Sequence, residues 1–499
     1  MSHLLCANHD QVLLFPPCVE DWVPRDHPAR FVRDFVQALS LPELGIPIPQ
    51  PRQGQAPYDP TLLLGLWLYG YLRRVRTSRK VEDACSQDIG FIWLAGNQHP
   101  DHNTLARFLK ENRRVFKRLF KMLVKTAQRL ELIGLVLHAL DGTKMASACG
   151  TPGALHRDDV TKLMTTLDAR IEAMLVETAQ ADEHPAESIA LPSALCDAQA
   201  RRAAIQQQLD SLNKHEANHL QETESDARMQ KFSDGKTRFG YNCQAMRDEH
   251  SGLIVAEEVT NAVCDTNLLV PMLAETHANL GTTAELTAAD GGYVSGTEIA
   301  NAETKGYDVL LNLSGLAGNP QAGCYPKRAF QYEVDRDCYR CPQGQVLPFA
   351  HLKQKERKAG NEVYSVRVYK CTACKTCAKR SACTSSQSGR RVERSDQDDA
   401  IERQMARQAS PECQALLKMR SQIIEPFFSF VKDSGGFRRF TQRGLTGAGV
   451  QWSLICTTHN LKTLAGMLQA GRFTWEQFRA AIREAIQEIR VTMPLSQAA

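Results

Sequence analysis

Leu135-Val136-Leu137-His138-Ala139-Leu140-Asp141-Gly142-Thr143 is the stretch on which the fold is decided. Its nearly continuous apolar run suits a central strand buried on both faces, and Asp-Gly-Thr predicts the strand's end. Glu285 to Ala289 is a second short run, and it stops in the same way at Asp290-Gly291-Gly292. Between the two, Arg238 to Arg247 and Leu253 to Val259 flank the turn Asp248-Glu249-His250-Ser251-Gly252 and predict a hairpin. Asn267 to Leu280 reads as a helix, Ser295 to Thr304 as a capped helix, and Tyr307 to Leu313 as a further strand. The order strand, hairpin, helix, strand, helix, strand predicts an α/β (α+β) core with a mixed sheet and flanking helices.

Outward from that core the pattern is helical. Pro28 to Leu39, Thr61 to Leu72, Ser78 to Cys85 and His102 to Arg129 precede the first strand. Asp158 to Gln180 and Ala194 to His215, separated by a break at Pro185 to Pro192, read as an inserted helical hairpin. Pro411 to Lys432 and Gln451 to Leu468 are helical near the end. The expected units are a helical domain over 1–130 and a core over 131–323 with the hairpin at about 156–230. A Cys-rich insertion over 324–391, the rest of the core over 392–485 and a tail over 486–499 follow.

The chain has 499 residues, 43% apolar and 23% charged, which fits a folded globular protein and excludes collagen-like or wholly disordered chains. Leu62 to Leu72, the longest membrane-like stretch, contains Gly65 and Gly70 and ends at Arg73, so no membrane span is expected. Met1 to Asp10 lacks a basic segment ahead of an apolar one, so a cytoplasmic location is expected. Net charge is only +4, but His102 to Arg129 carries nine basic residues against the single acid Glu111. Those nine are Arg107, Lys110, Arg113, Arg114, Lys117, Arg118, Lys121, Lys125 and Arg129. Leu105, Phe108, Leu109, Phe116, Leu119, Phe120 and Leu123 recur at helical spacing, so the apolar stripe should pack inward and the cations face out. Such a face suits DNA, or simply solvent.

Asp141 and Asp290 stand at two predicted strand ends, each before a glycine that allows close backbone approach. Glu425 lies in the apolar setting Ile423-Ile424-Glu425-Pro426-Phe427, where burial of an unpaired carboxylate would be costly, so a partner is expected. Each acid alone could be a turn residue or a surface ion pair. Together they form a hard oxygen set for two Mg²⁺ or Mn²⁺ ions, the arrangement that drives phosphoryl transfer. Lys432 follows seven residues after Glu425, and Arg438, Arg439 and Arg443 come soon enough to hold phosphates. His102 and Asn103 are weaker candidates, Asn103 more as a helix cap than as a DNA contact. His459, Asn460 and Trp452 suit a helix core.

Six cysteines, Cys338, Cys341, Cys371, Cys374, Cys377 and Cys383, fall within 46 residues. Cys-x2-Cys spacing points two sulfurs one way and favours structural Zn²⁺ over an iron-sulfur cluster or free thiols.

Tyr58-Asp59-Pro60, Asp101-His102-Asn103-Thr104-Leu105, Asp141-Gly142-Thr143-Lys144, Asp226-Ala227-Arg228-Met229, Gly240-Tyr241-Asn242-Cys243-Gln244 and Glu425-Pro426-Phe427-Phe428 together resemble the bacterial insertion-sequence DDE transposases. The resemblance implies an RNase H-like catalytic core and a helical N-terminal DNA-binding domain, for which Arg107, Arg113, Arg114 and Lys117 of the basic segment are the candidate contacts. It implies Asp141, Asp290 and Glu425 as Mg²⁺ ligands with Lys432 beside them, and Cys341, Cys374, Cys377 and Cys383 as zinc-ribbon ligands, with Cys338 or Cys371 in reserve. Leu417 stands where the family has Tyr, and Arg420 is one place early. The activity implied is metal-dependent cleavage at terminal inverted repeats and strand transfer into target DNA by a homodimer. A catalytically silent DNA-binding regulator descended from such an element, or a nuclease acting on other DNA, are the rival expectations.

Overall fold

The computed structural model describes residues 18–49, 56–150, 154–181, 193–214, 218–221, 223–313, 324–356 and 363–492. Met1 to Asp10, the Pro185–Pro192 break, His215 and the end of the tail lie outside the described residues.

The central sheet contains β1 (Leu137–Ala146), β2 (Thr237–Asp248), β3 (Ile254–Thr260), β4 (Leu286–Ala289) and β5 (Val309–Leu311). Their spatial order is β3-β2-β1-β4-β5, with a short strand Arg228–Lys231 also pairing with β2. The strands β1, β2 and β3 run antiparallel in sequence, while β1, β4 and β5 are parallel. This is the RNase H-like arrangement, a mixed α/β sheet. β2 carries alternating Tyr241, Cys243 and Ala245 on one face and Asn242 and Gln244 on the other, all fully buried, because helices cover both faces.

One expectation is corrected here. β1 does not stop at Asp141 but continues to Ala146, because β2 supplies backbone partners past the acid, with Asp141 opposite Ala245 and Lys144 opposite Asn242. Pairing across the sheet overrides the local turn preference of Asp-Gly.

The basic segment forms two helices, His102–Glu111 and α1 (Arg113–Arg129). The cap of the first is Asp101, whose side chain accepts from Thr104 N at 2.6 Å, not Asn103. The expected outward face of cations is also corrected for α1. It is packed beneath α3 (Gly444–Gln469) and α4 (Trp475–Thr492), and Arg118 and Lys125 are only 6% and 4% exposed. Lys125 pairs with Glu488, Arg129 with Glu484 and Glu488, and Lys117 with Glu258 and Glu275. These acids come from distant parts of the chain, so local composition could not reveal them.

One apolar core accordingly runs from Ala29 to Ile489, and the helices before residue 130 share it with α3 and α4. The boundary expected at 485/486 falls inside α4. The helical hairpin is present as Arg157–Ala181 and Ser193–Lys214, with small interfaces of its own such as Val160, Met164, Ile205 and Leu212. Residues 331–394 carry a five-stranded antiparallel sheet around Tyr339, Leu347, Tyr369 and Val392. Among the described residues no helix is long and apolar enough to cross a membrane.

At the start of β1, His138 and Asp248 face each other, 0% and 1% exposed, with Nε2 and Oδ1 3.6 Å apart. Asp248 Oδ2 accepts from Ser251 N at 2.8 Å and Ser251 Oγ at 2.6 Å. Burial pushes this carboxyl up, but the nearby His138 ring and the bonds from Ser251 outweigh it and hold it below its ordinary range. A depressed folded-state value contributes stability above the unfolded value, and that stability is lost as pH falls through the folded one. The thermal midpoint is therefore expected to drop below about pH 4, and Asp248→Asn should lower it at pH 7 and flatten the acid limb. An acid limb of unchanged slope in Asp248→Asn would count against this assignment.

Candidate active site

β1 and β4 are parallel neighbours with Leu140 opposite Ala289, so the next residues, Asp141 and Asp290, lie side by side. Asp290 caps the turn Gly291–Tyr293, its Oδ1 accepting from Gly292 N at 2.9 Å. Asp141 Oδ1 accepts from Gly142 N at 2.7 Å, and its Oδ2 from Arg420 Nη1 at 2.9 Å. Burial pushes the Asp141 carboxyl above its ordinary range, Arg420 pulls it back, and the charge of Asp290 raises it further. A cation between the two acids would relieve both the burial and the repulsion.

Arg420 comes from α2 (Pro411–Ser429), which packs across the sheet with Ile424 and Phe427 fully buried. The helix continues into a wide π turn, Phe430–Ser434, that carries Lys432. Burial holds the half-buried Lys432 ammonium below its ordinary range, while the nearby Cys243, Asp433 and Asp141 oppose that shift. Lys432 thus lies within electrostatic reach of Asp141.

Glu425 is placed differently. It is exposed, so the expected apolar burial of this carboxylate is corrected. Five residues along a helix turn through about 140° from the starting direction, so with Arg420 directed at Asp141 the Glu425 side chain leaves on another flank. A four-residue spacing would have kept the two on one face. Among the described residues, no three His, Cys, Asp or Glu side chains stand close enough together to hold a metal ion.

Of the basic candidates, Arg107 and Arg114 are exposed and Arg113 is half-buried. Lys117 is engaged by Glu258 and Glu275. Arg438 is exposed and pairs with Asp433 at 3.0 Å. Arg439 Nη1 donates to the carbonyls of Ser147 at 3.0 Å and Cys149 at 2.7 Å, which ties the chain to the end of β1. Arg443 is exposed at the N-cap of α3. His459 lies against Phe427 and Phe430, and burial pushes its imidazole down to about 4. Asn460 bonds both backbone groups of Ile254 at 2.8 Å, and Trp452 is fully buried, as expected.

In the cysteine region, Cys341, Cys371, Cys374, Cys377 and Cys383 line one small cavity. Burial and the neighbouring Cys374 thiol push Cys371 up to about 11, and burial also raises Cys383. Cys338 stands apart, its thiol 3.6 Å from Glu333 Oε2.

Sequence reasoning missed Asp265, Asn242, Gln244 and Tyr293, which meet beside Asp141 and Asp290. The available signal was the pair of amides two apart within an otherwise apolar strand, Tyr241-Asn242-Cys243-Gln244-Ala245.

Two family models match the chain: a transposase DDE domain over residues 340–465 and the transposase domain DUF772 over residues 17–111. They support an insertion-sequence DDE transposase. The first match contains Glu425, Lys432 and the cysteines from Cys341 to Cys383, and the second contains the helices up to Glu111; Cys338, Asp141 and Asp290 lie outside both. No curated protein matches the chain. The RNase H-like order of β1 to β5 therefore carries the argument for the two aspartates.

Proposed function

We propose that this transposase binds the terminal inverted repeats of its own element, cuts the DNA at their ends and joins the freed 3′-hydroxyls to target DNA. The observation that carries the reading is the adjacency of Asp141 and Asp290 on neighbouring parallel strands of an RNase H-like sheet. Asp141 and Asp290, with Glu425 completing the set on bound DNA, would hold Mg²⁺ or Mn²⁺. Ions bound there supply an activated water and stabilise the leaving oxygen. In the first step water attacks phosphorus and the 3′ bridging bond breaks; in the second the 3′-hydroxyl attacks a target phosphodiester, exchanging one P–O bond for another. Lys432, desolvated beside Asp141, would neutralise phosphate charge in both steps. Arg107, Arg113, Arg114, Arg438 and Arg443 would contact the backbone, and a homodimer would cut two ends together. Lys117 and Arg439 fit structural roles better, given their partners.

The test is cleavage of a labelled duplex carrying the element's end, with Mg²⁺ or Mn²⁺, beside a duplex of scrambled end sequence. Metal-dependent cutting at the intact end alone is expected. Specific binding without cutting would favour the catalytically silent regulator, a reading supported by the Arg420–Asp141 pair and the exposure of Glu425. Cutting of both duplexes alike would favour a general nuclease.

Structural zinc would require Cys341, Cys374, Cys377 and Cys383 to draw together around the ion from the cavity they line, with Cys371 at hand, whereas Cys338 does not line that cavity. Several thiols around one cavity suit a soft cation, which binds thiolates and reverses the upward shifts caused by burial. Purified protein is expected to contain about one zinc per chain, lost in Cys374→Ser and kept in Cys338→Ser. Equal zinc content in both variants would discard this ligand set.

A further inference from the structure

Behind the two aspartates, on the opposite face of β1 and β2, lies a buried polar chain. Gly142 pairs with Gln244 and Lys144 with Asn242, so these four share one face of the sheet. Asp265, in the segment after β3, reaches into this face. Its Oδ1 accepts from Asn242 Nδ2 at 2.6 Å and Gln244 Nε2 at 2.9 Å, and lies 3.6 Å from Lys144 Nζ. Gln244 Nε2 also donates to Asn242 Oδ1 at 2.9 Å. Gln244 Oε1 accepts from the hydroxyl of Tyr293, the last residue of the turn that Asp290 caps. Asn242, Gln244 and Tyr293 are all fully buried.

The glycines show how tightly this is built. A Cβ on Gly142 would collide with Gln244 Nε2 and lie 3.1 Å from Asp265 Oδ1. A Cβ on Gly292 would lie 3.0 Å from Asp290 Oδ1 and 3.3 Å from Asp265 Oδ2. The two carboxylate oxygens Asp290 Oδ1 and Asp265 Oδ2 are therefore no more than about 6.3 Å apart, the sum of those two separations. Neither glycine has a positive φ, so the requirement at both is space and not backbone conformation.

We infer that Asp265 is a positioning residue for the reacting centre, acting through Gln244 and Tyr293. The inference rests on the reading of Asp141 and Asp290 as the acids of that centre. The Gln244 side chain must present its oxygen to Tyr293, which turns its amide NH₂ inward. The Asp265 carboxylate is the charged acceptor that fixes this orientation, since an amide is free to flip where its partners are neutral. Held this way, Gln244 fastens the Asp290 turn to the strand that pairs with Asp141, and the two acids keep their relative position when a cation draws on both. Partners of this outer kind change metal affinity or activity by about 10- to 100-fold when removed.

The test uses the full chain and two readouts: Mn²⁺ binding to the free protein, followed by electron paramagnetic resonance, and cleavage of the end duplex. Asp265→Ala is expected to raise the Mn²⁺ concentration for half-binding about tenfold and to slow cleavage by about 10- to 100-fold, with end-DNA affinity unchanged. Asp265→Asn, which keeps an acceptor oxygen, should recover part of both. Tyr293→Phe removes only the far hydroxyl, should shift Mn²⁺ binding in the same direction, and serves where Asp265→Ala fails to fold. In the double variant Asp265→Ala/Tyr293→Phe the losses should not add, because both break one chain of contacts. Wild-type Mn²⁺ binding and cleavage in both Asp265→Ala and Tyr293→Phe would overturn the inference and leave the transposase reading intact. Wild-type protein whose Mn²⁺ binding is insensitive to Asp290→Asn, and which does not cut, would overturn both.

Discussion

Asp290→Asn is expected to lower end cleavage by about 10³-fold or more while end-DNA affinity stays within about twofold, because the change removes a charge at the reacting centre worth roughly 4 kcal/mol. The substitution is nearly isosteric. Asp290 Oδ1 caps the turn by accepting from Gly292 N at 2.9 Å, and the amide oxygen of Asn can accept the same bond. The backbone Gly291–Tyr293 and the Tyr293 contact to Gln244 should therefore persist, and the thermal midpoint should change little. What disappears is one of two adjacent negative charges. With it goes the repulsion that helps to hold Asp141 above its ordinary range, so the remaining acid gains in ionisation but loses its partner in binding a divalent ion. The measurement is single-turnover cleavage beside a gel-shift titration with the same duplex. Cleavage at the wild-type rate would remove Asp290 from the chemistry. A parallel loss of DNA affinity would point instead to a phosphate-binding surface that the turn supports. Glu425→Gln separates the remaining cases: cleavage lost in both variants supports Glu425 joining the aspartates on bound DNA, despite its exposure in the free chain.

Much of this architecture was legible in the sequence because it follows from short-range pattern. The runs before Asp141 and Asp290 had to be buried strands, and the three-four spacing of Leu105 to Leu123 had to be helical. The adjacency of the two acids needed only the parallel pairing of those strands. Where the reading departed from the structure, the deciding partner was far away in the chain. β1 outruns its Asp-Gly because β2, about a hundred residues later, pairs with it. Lys117, Lys125 and Arg129 of α1 are taken up by Glu258, Glu488 and Glu484 from distant parts of the chain, and an acid cannot be seen from a basic window. A one-residue shift of Arg420 costs nothing in composition but turns the side chain through about 100° around the helix. Asp265 gave no signal at all, being one acid in a polar segment, although Asn242 and Gln244 on a buried strand implied that some acceptor had to meet them.

Glu224 shows how the same long-range polar contacts stabilise the molecule. It is 3% exposed and sits just before the Asp226-Ala227-Arg228-Met229 stretch. Its Oε2 accepts from Cys149 N at 2.9 Å, just past the end of β1. Its Oε1 accepts from the fully buried Tyr241 hydroxyl at 2.9 Å and from Gly444 N at 3.1 Å, the first residue of α3. Asp226 Oδ2 takes the next amide, Leu445 N, at 3.0 Å, so two carboxylates at the start of α3 receive amides that have no partner within the helix. Glu224→Ala leaves three donors without their acceptor, and at about 1 to 3 kcal/mol for each buried group the expected loss is at least about 3 kcal/mol. Glu224→Gln keeps one acceptor oxygen and should lose roughly half as much. Urea unfolding of both variants beside wild type measures the difference. Because Trp452 of α3 donates to Gln244 O at 2.9 Å, loosening the start of α3 should also reach the strand behind the aspartates, and hydrogen exchange at Gln244 and its neighbours should rise in Glu224→Ala. Full stability in Glu224→Ala would mean that water replaces the carboxylate at this junction, and that α3 is held by its apolar face alone.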